Sequence, residues 1–298
     1  MFLIINYILL SILYGTSLQE MYDNSSSFEQ YEKYIILEPE SIYTGGIGIY
    51  EGDVYINCMG STIDLEEGNG IWVYADVEYP SSLHIEYCTI TNGLYYGISY
   101  GGLSEGDIIN CNFVNTNYGL KLFDACNVFV TNTIFSINDT YGIGMYTEVP
   151  DIVVSYSLFW NNQEADHMEN CPGWGSIWTE LQLLPGTGVI YDDPLFINSD
   201  TFNFDLLNNS PCINSGNPDF IINNDLYSNI GASYYPIHND CLTNGDINND
   251  STINILDVVQ IVNLIVGEIS DLECNADINN DNEIDVLDII SIINLIIN

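Results

Sequence analysis

Between Leu83 and Asn161 apolar and polar positions alternate in short runs, and the runs recur at a near-constant interval. Ile85, Ile108, Val130 and Val154 follow one another at almost equal steps. Three positions on stand Cys88, Cys111, Thr133 and Ser157, and two further on Ile90, Phe113, Phe135 and Phe159. A second column reads Gly70-Ile71, Gly97-Ile98, Gly119-Leu120 and Gly142-Ile143, with Tyr96, Tyr118 and Tyr141 before the last three glycines. A period in the low twenties, as here, marks a solenoid. The units are short, β-branched and aromatic, and Gly and Asn separate them without any helical period, so each is a set of short strands. The pattern predicts an all-β parallel β-helix in which like residues stack rung on rung.

Alternation within a strand assigns its faces. Ile71, Ile98, Leu120 and Ile143 point inward, which sends Trp72, Ser99, Lys121 and Gly144 outward. In the other strand His84, Asp107, Phe129 and Val153 form an outer column beside Glu86, Ile109, Thr131 and Ser155. A lysine and a histidine thus stand on outer faces of neighbouring rungs, as a site or, more commonly, as a solvated face. The first clear rung is Val54 to Cys58 with Ser61 to Asp64, and the wider step from Gly70 to Gly97 implies a longer turn there.

The rhythm breaks after Asn161. Where a glycine is due, Gln163 to Trp174 reads as an inserted loop, and loops on a rigid scaffold carry function more often than the scaffold. Asp166, His167 and Glu169 are the candidate catalytic residues because they offer proton-transfer groups. Trp174 and Trp178 offer apolar faces on which a sugar ring could stack, or they cover the end of the coil.

Charge narrows the partners. The chain has two Lys, no Arg and 42 acids, a formal net charge of −40. It repels nucleic acid and anionic membranes, and polyanionic sugars too unless a cation bridges them. Phe2 to Tyr14 is an apolar run ended by Gly15-Thr16-Ser17, too short to span a bilayer comfortably. It reads as a signal peptide over 1–17, although no Lys or Arg precedes it. The mature chain then has no membrane span, and the protein is secreted, extracellular or at the cell surface. Residues 18–44 form an N-terminal tail and cap, and helix is expected only at 2–14 and near the C-terminus. Eight cysteines in an exported chain permit disulfides. Cys88 and Cys111 should lie one rung apart, about 4.8 Å. Their Cβ vectors would then run parallel, wider than the roughly 3.8 Å a bridge prefers, so they read as stacked thiols.

Asp193-Pro194-Leu195-Phe196, Asn203-Phe204-Asp205-Leu206, Ser210-Pro211-Cys212-Ile213-Asn214-Ser215-Gly216 and Asn229-Ile230-Gly231-Ala232 follow in that order. They resemble the closing segment of secreted bacterial right-handed parallel β-helix repeat proteins, with Asn214 and Asn229 where Asp is frequent there. The resemblance implies a right-handed β-helix over 45–236 and a polysaccharide-related role, sometimes as a lyase or hydrolase. Uronate lyases of this kind use a Lys or Arg base, and here only Lys33, expected in the tail, and Lys121 qualify. The Gly-His-Gly and Arg-Ile-Lys motifs of pectin-hydrolysing relatives are missing. Three readings of the body stay open: glycan binding, a glycoside hydrolase or polysaccharide lyase, and a structural spacer.

After Pro236 one unit occurs twice, beginning at Asp246 and again at Asp277. Oxygen ligands at loop positions 1, 3, 5, 9 and 12, with a carbonyl at 7, suit a hard seven-coordinate cation. Those positions are Asp246, Asn248, Asp250, Thr252, Asn254 and Asp257, then Asp277, Asn279, Asp281, Glu283, Asp285 and Asp288. Each loop runs into a helix, Asp257 to Val266 and Asp288 to Ile297, and Gly267 stops the first. The duplicate resembles a dockerin over 239–298, a small all-α module with two EF-hand-like loops. That resemblance implies two Ca²⁺ ions and a cohesin-like protein partner. Ser251 and Asn282 depart from the glycine usual at position 6. Ile255, Leu256, Val286 and Leu287 take the recognition positions where many dockerins have Ser-Thr, and they form the expected contact. Cys241 and Cys274 precede the two loops and are the expected disulfide.

Overall fold

The computed structural model of the chain describes residues 16–147, 151–168, 187–222, 226–233, 247, 252–265, 276, 278 and 284–297. Two compact units divide it, Met1–Tyr234 and Tyr235–Asn298.

The first unit is a β-solenoid of three sheets. Sheet one stacks three-residue strands, including Thr62–Asp64, Thr89–Thr91, Asn112–Val114, Ile134–Ser136 and Leu158–Trp160. Sheet two runs through Tyr31–Ile36, Gly52–Asn57, Ser81–Glu86, Glu105–Ile109, Asn127–Thr131 and Asp151–Ser155. Sheet three includes Gly48–Ile49, Ile71–Ala75, Ile98–Gly102, Tyr118–Leu122, Tyr141–Met145 and Ala165–Met168. Pairing between coils is parallel, and the registers Ile85↔Ile108↔Val130↔Val154 and Ile71↔Ile98↔Leu120↔Ile143 are the columns visible in the sequence. The long turn expected before Gly97 is residues 76–80, between two of these strands.

The two strongest columns touch each other. Phe113, Phe135 and Phe159 are almost fully buried, with ring centroids 5.1 Å apart and planes within 6° and 11°. A Cβ on Gly97 would come within 2.6 Å of the Phe113 ring, and one on Gly119 within 2.7 Å of Phe135. The glycine column is therefore the groove in which the phenylalanine ladder lies. Gly106 interrupts the column of Val54, Leu83, Val128 and Ile152 for a similar reason. Tyr100, wholly buried, fills its space and donates its hydroxyl to the Leu83 carbonyl at 3.3 Å.

Corners between strands need a left-handed residue, which Asn tolerates better than most. Tyr87, Asn110, Asn132 and Tyr156 hold one corner at φ 53, 50, 53 and 46°, and Asn92, Asn115, Ile137 and Asn161 another at φ 57, 54, 56 and 51°.

The N-terminal part departs from a tail. Leu18–Asn24 is a seven-residue helix, α1. Leu18 is fully buried in the core, with Met21 and Tyr22 packed beside it, so α1 covers the open end of the stack. An exposed apolar end requires such a cap. Lys33 is not in a tail but in the strand Tyr31–Ile36, and its ammonium donates to the carbonyls of Tyr22 at 3.0 Å and of Asp23 and Ser25 at 3.4 Å. A cation at the carbonyl end of a helix is favourably placed. Residues 1–15, the body of the expected signal peptide, lie outside the described residues.

Two further expectations are corrected. Cys88 is not a stacked thiol, because it is bonded to Cys58 with Cα atoms 4.9 Å apart. Four residues turn the corner between Asn57 and Thr62, where two suffice between Glu86 and Thr89. The unequal corners offset the two cysteines so that their side chains meet. Cys88 and Cys111 sit in equal corners and do not bridge; Cys111 stays a buried thiol, pushed up to about 12 by burial. The rhythm also does not break at Asn161. Ala165–Met168 adds one more strand to sheet three, with His167 in register with Ile143.

The closing segment is a strap along the coil. Cys212 and Ile230 pack on Ile134 and Leu158, flanked by Trp160, Phe196 and Leu206. Buried asparagines fasten it. Asn110 donates to the carbonyls of Asn229 and Gly231 at 3.1 and 3.3 Å, and Asn132 donates to Ser228 Oγ at 2.9 Å. Asn112 accepts from the Ala232 amide at 3.1 Å and donates to Thr89 Oγ1 at 3.0 Å. Asn112→Ala leaves both partners unsatisfied, so urea unfolding should show a loss of about 1–3 kcal/mol. Hydrogen exchange at 228–232 should quicken in the same variant.

The second unit contains two helices, Ile255–Ile265 (α2) and Val286–Ile297 (α3). Their core is Ile247, Val258, Ile261, Ala276 and Ile292, with Ile278, Ile284 and Ile289 packed against it.

Candidate functional site

A group of titratable side chains lies on the outer face of sheet two. Tyr34, Tyr55 and His84 stand in register on successive strands. Their rings stack, with centroids 4.7 and 5.2 Å apart and interplanar angles of 9° and 19°. The His84 imidazole has Asp107 at 3.4 Å and Glu86 at 3.8 Å. Burial works against its charge, but the hydrogen bonds and charges of Asp107 and Glu86 prevail and hold it at about 9. Burial alone would raise the Glu86 carboxyl, yet bonds from His84, Tyr55 and Asn57 keep it below the usual range. A general base works best with a pKa near the operating pH. At neutral pH His84 is protonated and Glu86 is ionised with three donors around it, so the cluster is an ion-paired stack rather than a proton shuttle. The sequence placed His84 and Glu86 in outer columns; the tyrosine stack was missed, although Tyr34 and Tyr55 share the His84 column.

The lysine and histidine on neighbouring rungs do not converge, since Lys121 belongs to sheet three and His84 to sheet two. The Lys121 ammonium lies 4.6 Å from the ring centroids of Tyr118 and Tyr146 and 5.4 Å from that of Phe123. Of the candidate catalytic residues, Asp166 accepts from Asn162 Nδ2 at 2.9 Å, and His167 sits edge-on to Phe159 with centroids 6.3 Å apart. Both belong to the last strand of sheet three, not to a loop. Glu169, Trp174, Trp178, Cys241 and Cys274 lie outside the described residues.

In the second unit the two loop ends repeat one arrangement. Asp257 is fully buried; its Oδ1 accepts from the Ile247 amide at 2.9 Å and its Oδ2 from the Asn254 amide at 2.8 Å. Asp288 is equally buried and accepts from the Ile278 amide at 2.8 Å and the Asp285 amide at 2.9 Å. Asn254 Oδ1 in turn accepts from the Leu256 amide at 2.8 Å, and Asp285 Oδ1 from the Leu287 amide at 2.6 Å. Each pair is a capping box: the residue before the helix caps it, and the third helical residue bonds back. Asp257 and Asp288 also reach the second residue of their own loops and so close them.

Residues 45–177 match the family model described as right handed beta helix region, and 244–297 match the dockerin type I domain. The chain carries a right-handed β-helix region and a dockerin type I domain. No curated protein and no solved structure matches it.

Dockerins bind calcium and dock onto cohesins, and proteins that carry them are typically extracellular or at the cell surface. The residues here fit the ion. Two wholly buried carboxylates stand in a unit whose sequence, 235–298, holds no Lys or Arg. Hard oxygens such as theirs suit calcium. Asp257 and Asp288 would hold it at position 12, with Asn254 and Asp285 at position 9, where contact often runs through water. The Thr252 carbonyl, at position 7, accepts from Asn254 Nδ2 at 3.1 Å. Asp246, Asn248, Asp250, Asp277, Asn279, Asp281 and Glu283 lie outside the described residues. Among the described residues no helix is long and apolar enough to cross a membrane.

Two outcomes follow. His84 is raised in the folded state, so its contribution to stability is complete below about 6.5 and is lost as pH rises through about 9. The thermal midpoint should fall across that window, and His84→Gln should flatten the fall. Replacing Asp257 and Asp288 together with Ala should abolish the calcium-dependent gain of helix in the full chain, read by circular dichroism with and without chelator.

Proposed function

We propose that this protein is a polysaccharide-handling β-helix held on an extracellular scaffold by its dockerin, which folds around two calcium ions. The observation that carries the anchoring is the exposed apolar stripe repeated on both helices. Leu256, Val259 and Val262 are 57, 49 and 39% exposed, and their counterparts in the second copy, Leu287, Ile290 and Ile293, are 49, 53 and 37% exposed. Ile255 and Val286 extend the stripes at their loop ends, at 64 and 59%. Apolar surface repeated in this way marks an interaction site. The contact therefore includes Ile255, Leu256, Val286 and Leu287 and continues one to two turns along each helix.

For the body the reading is glycan binding. The engagement of both lysines, one on helix carbonyls and one among aromatic rings, counts against a lysine-driven elimination. The ion-paired state of the sheet-two cluster counts against a general base there.

Leu256→Asp with Leu287→Asp in the full chain tests the anchoring. Capture on immobilised cohesin in calcium should drop at least tenfold while the calcium-dependent helix signal persists. Unchanged capture would refute a contact through these stripes.

A further inference from the structure

Sheet three differs from sheet two in charge. The outward columns of sheet two carry Asp53, Glu86, Glu105, Asp107 and Asp151. The five strands of sheet three from Gly48–Ile49 to Tyr141–Met145 contain no acid at all, in a chain with 42. Aromatic rings cover them instead. Trp72 and Tyr74 lie parallel to within 8°, with centroids 6.3 Å apart. Their ring edges reach over the neighbouring strand, where Gly101 leaves them space; a Cβ there would stand 3.3 and 3.4 Å from the two rings. Trp72 lies 6.2 Å from Tyr96 and 6.0 Å from Phe123, and Phe123 stacks on Tyr146 at 5.1 Å. Small outward residues, Gly48, Ser99 and Gly144, alternate with the large ones in the Trp72 column, and Ser99 is fully covered.

Two observations point to a ligand. Tyr74 is 38% exposed and Tyr50 is 60% exposed, so rings are held at the surface of a rigid sheet rather than consumed by the core. Beside them a groove of about 500 Å³ is lined by Gln19, Tyr50, Asn69, Trp72 and Tyr96 among others, amide and hydroxyl groups next to ring edges. Rings that are apolar in body and polar at the rim suit a ligand with apolar C–H faces and a hydroxyl perimeter. The single cation on those strands, Lys121, is fenced by three rings.

We infer that the outer face of sheet three, centred on Trp72 and Tyr74 with Tyr50 at the adjoining groove, binds an uncharged polysaccharide chain. The charge decides the class. A net −40 repels uronate polymers, and the face offers no cluster of cations to overcome that. This rests on the glycan-binding reading of the body and names the surface and the ligand class.

Affinity electrophoresis of the full chain tests it, in gels containing hydroxyethylcellulose, glucomannan, xylan or polygalacturonate. The wild type should be retarded by at least one of the three uncharged polymers and not by polygalacturonate. Tyr50→Ala with Tyr74→Ala removes exposed rings and should weaken that retardation at least tenfold. Trp72→Ala should do the same, with the thermal midpoint showing whether its fold persists. Tyr34→Ala with Tyr55→Ala on sheet two should leave the retardation in place. Undiminished retardation in the sheet-three variants would overturn the site while keeping the body glycan-binding. Retardation by polygalacturonate alone would overturn the ligand class. No retardation by any polymer would overturn the site and the glycan-binding reading together.

Discussion

Everything in the first unit depends on register. Parallel strands about 4.8 Å apart bring like positions of successive coils into contact, so each residue must suit its own copy above and below. The phenylalanine ladder shows the constraint at its tightest. Rings 5.1 Å apart and nearly parallel leave no freedom sideways, and the space they need is taken from the adjoining strand, where only glycine fits. One slipped residue would move the rings to the outer face and set a side chain in place of each glycine. The same rule explains the irregular coils. Where Tyr100 enters the core, the residue in its way is Gly106. Where the glycine-Ile pair gives out at the last strand of sheet three, His167 takes the inner position.

This dependence made the coil legible. A column of Ile and Val that recurs once per coil is both the sequence signal and the packed core. Features outside the column rule were not legible. Helix α1 is seven residues long, too short for a period, and is held by Leu18 and by Lys33 from a later strand. The Cys58–Cys88 bond follows from corners of unequal length, which the spacing of strands alone does not reveal. The strap is fastened by side chains of Asn110, Asn112 and Asn132 to groups far away in sequence, and nothing local announces such bonds.

The second unit was legible for another reason. Its two loops repeat, and each repeats a set of oxygen-bearing side chains at fixed offsets. The structure adds why position 12 is an aspartate. Asp257 bonds back to the Asn254 amide at the start of the helix, reaches the Ile247 amide to close the loop and is wholly buried, so loop closure, helix initiation and the place for a cation meet in one carboxylate. A shorter or neutral side chain could satisfy one of these but not all three. A cation held there would therefore act on the helix as well as the loop, and through the helix on the apolar stripes proposed for docking.

A chain with so few cations must manage repulsion, and it does so by segregating its faces. Sheet two carries the outward acids and offsets a part of them with His84, raised to about 9 by those same acids. The strands of sheet three from Gly48–Ile49 to Tyr141–Met145 are free of acids and surfaced with rings, and their one lysine is turned into an aromatic cluster. On the dockerin the exposed stripes are apolar, while the carboxylates that flank them are buried at the loop ends. Both surfaces assigned to partners are thus the ones from which outward charge has been withdrawn. The acids elsewhere keep such a molecule from self-association, so two apolar faces can stay exposed without driving aggregation. Acidity here is a condition for displaying those faces, not a recognition signal of its own.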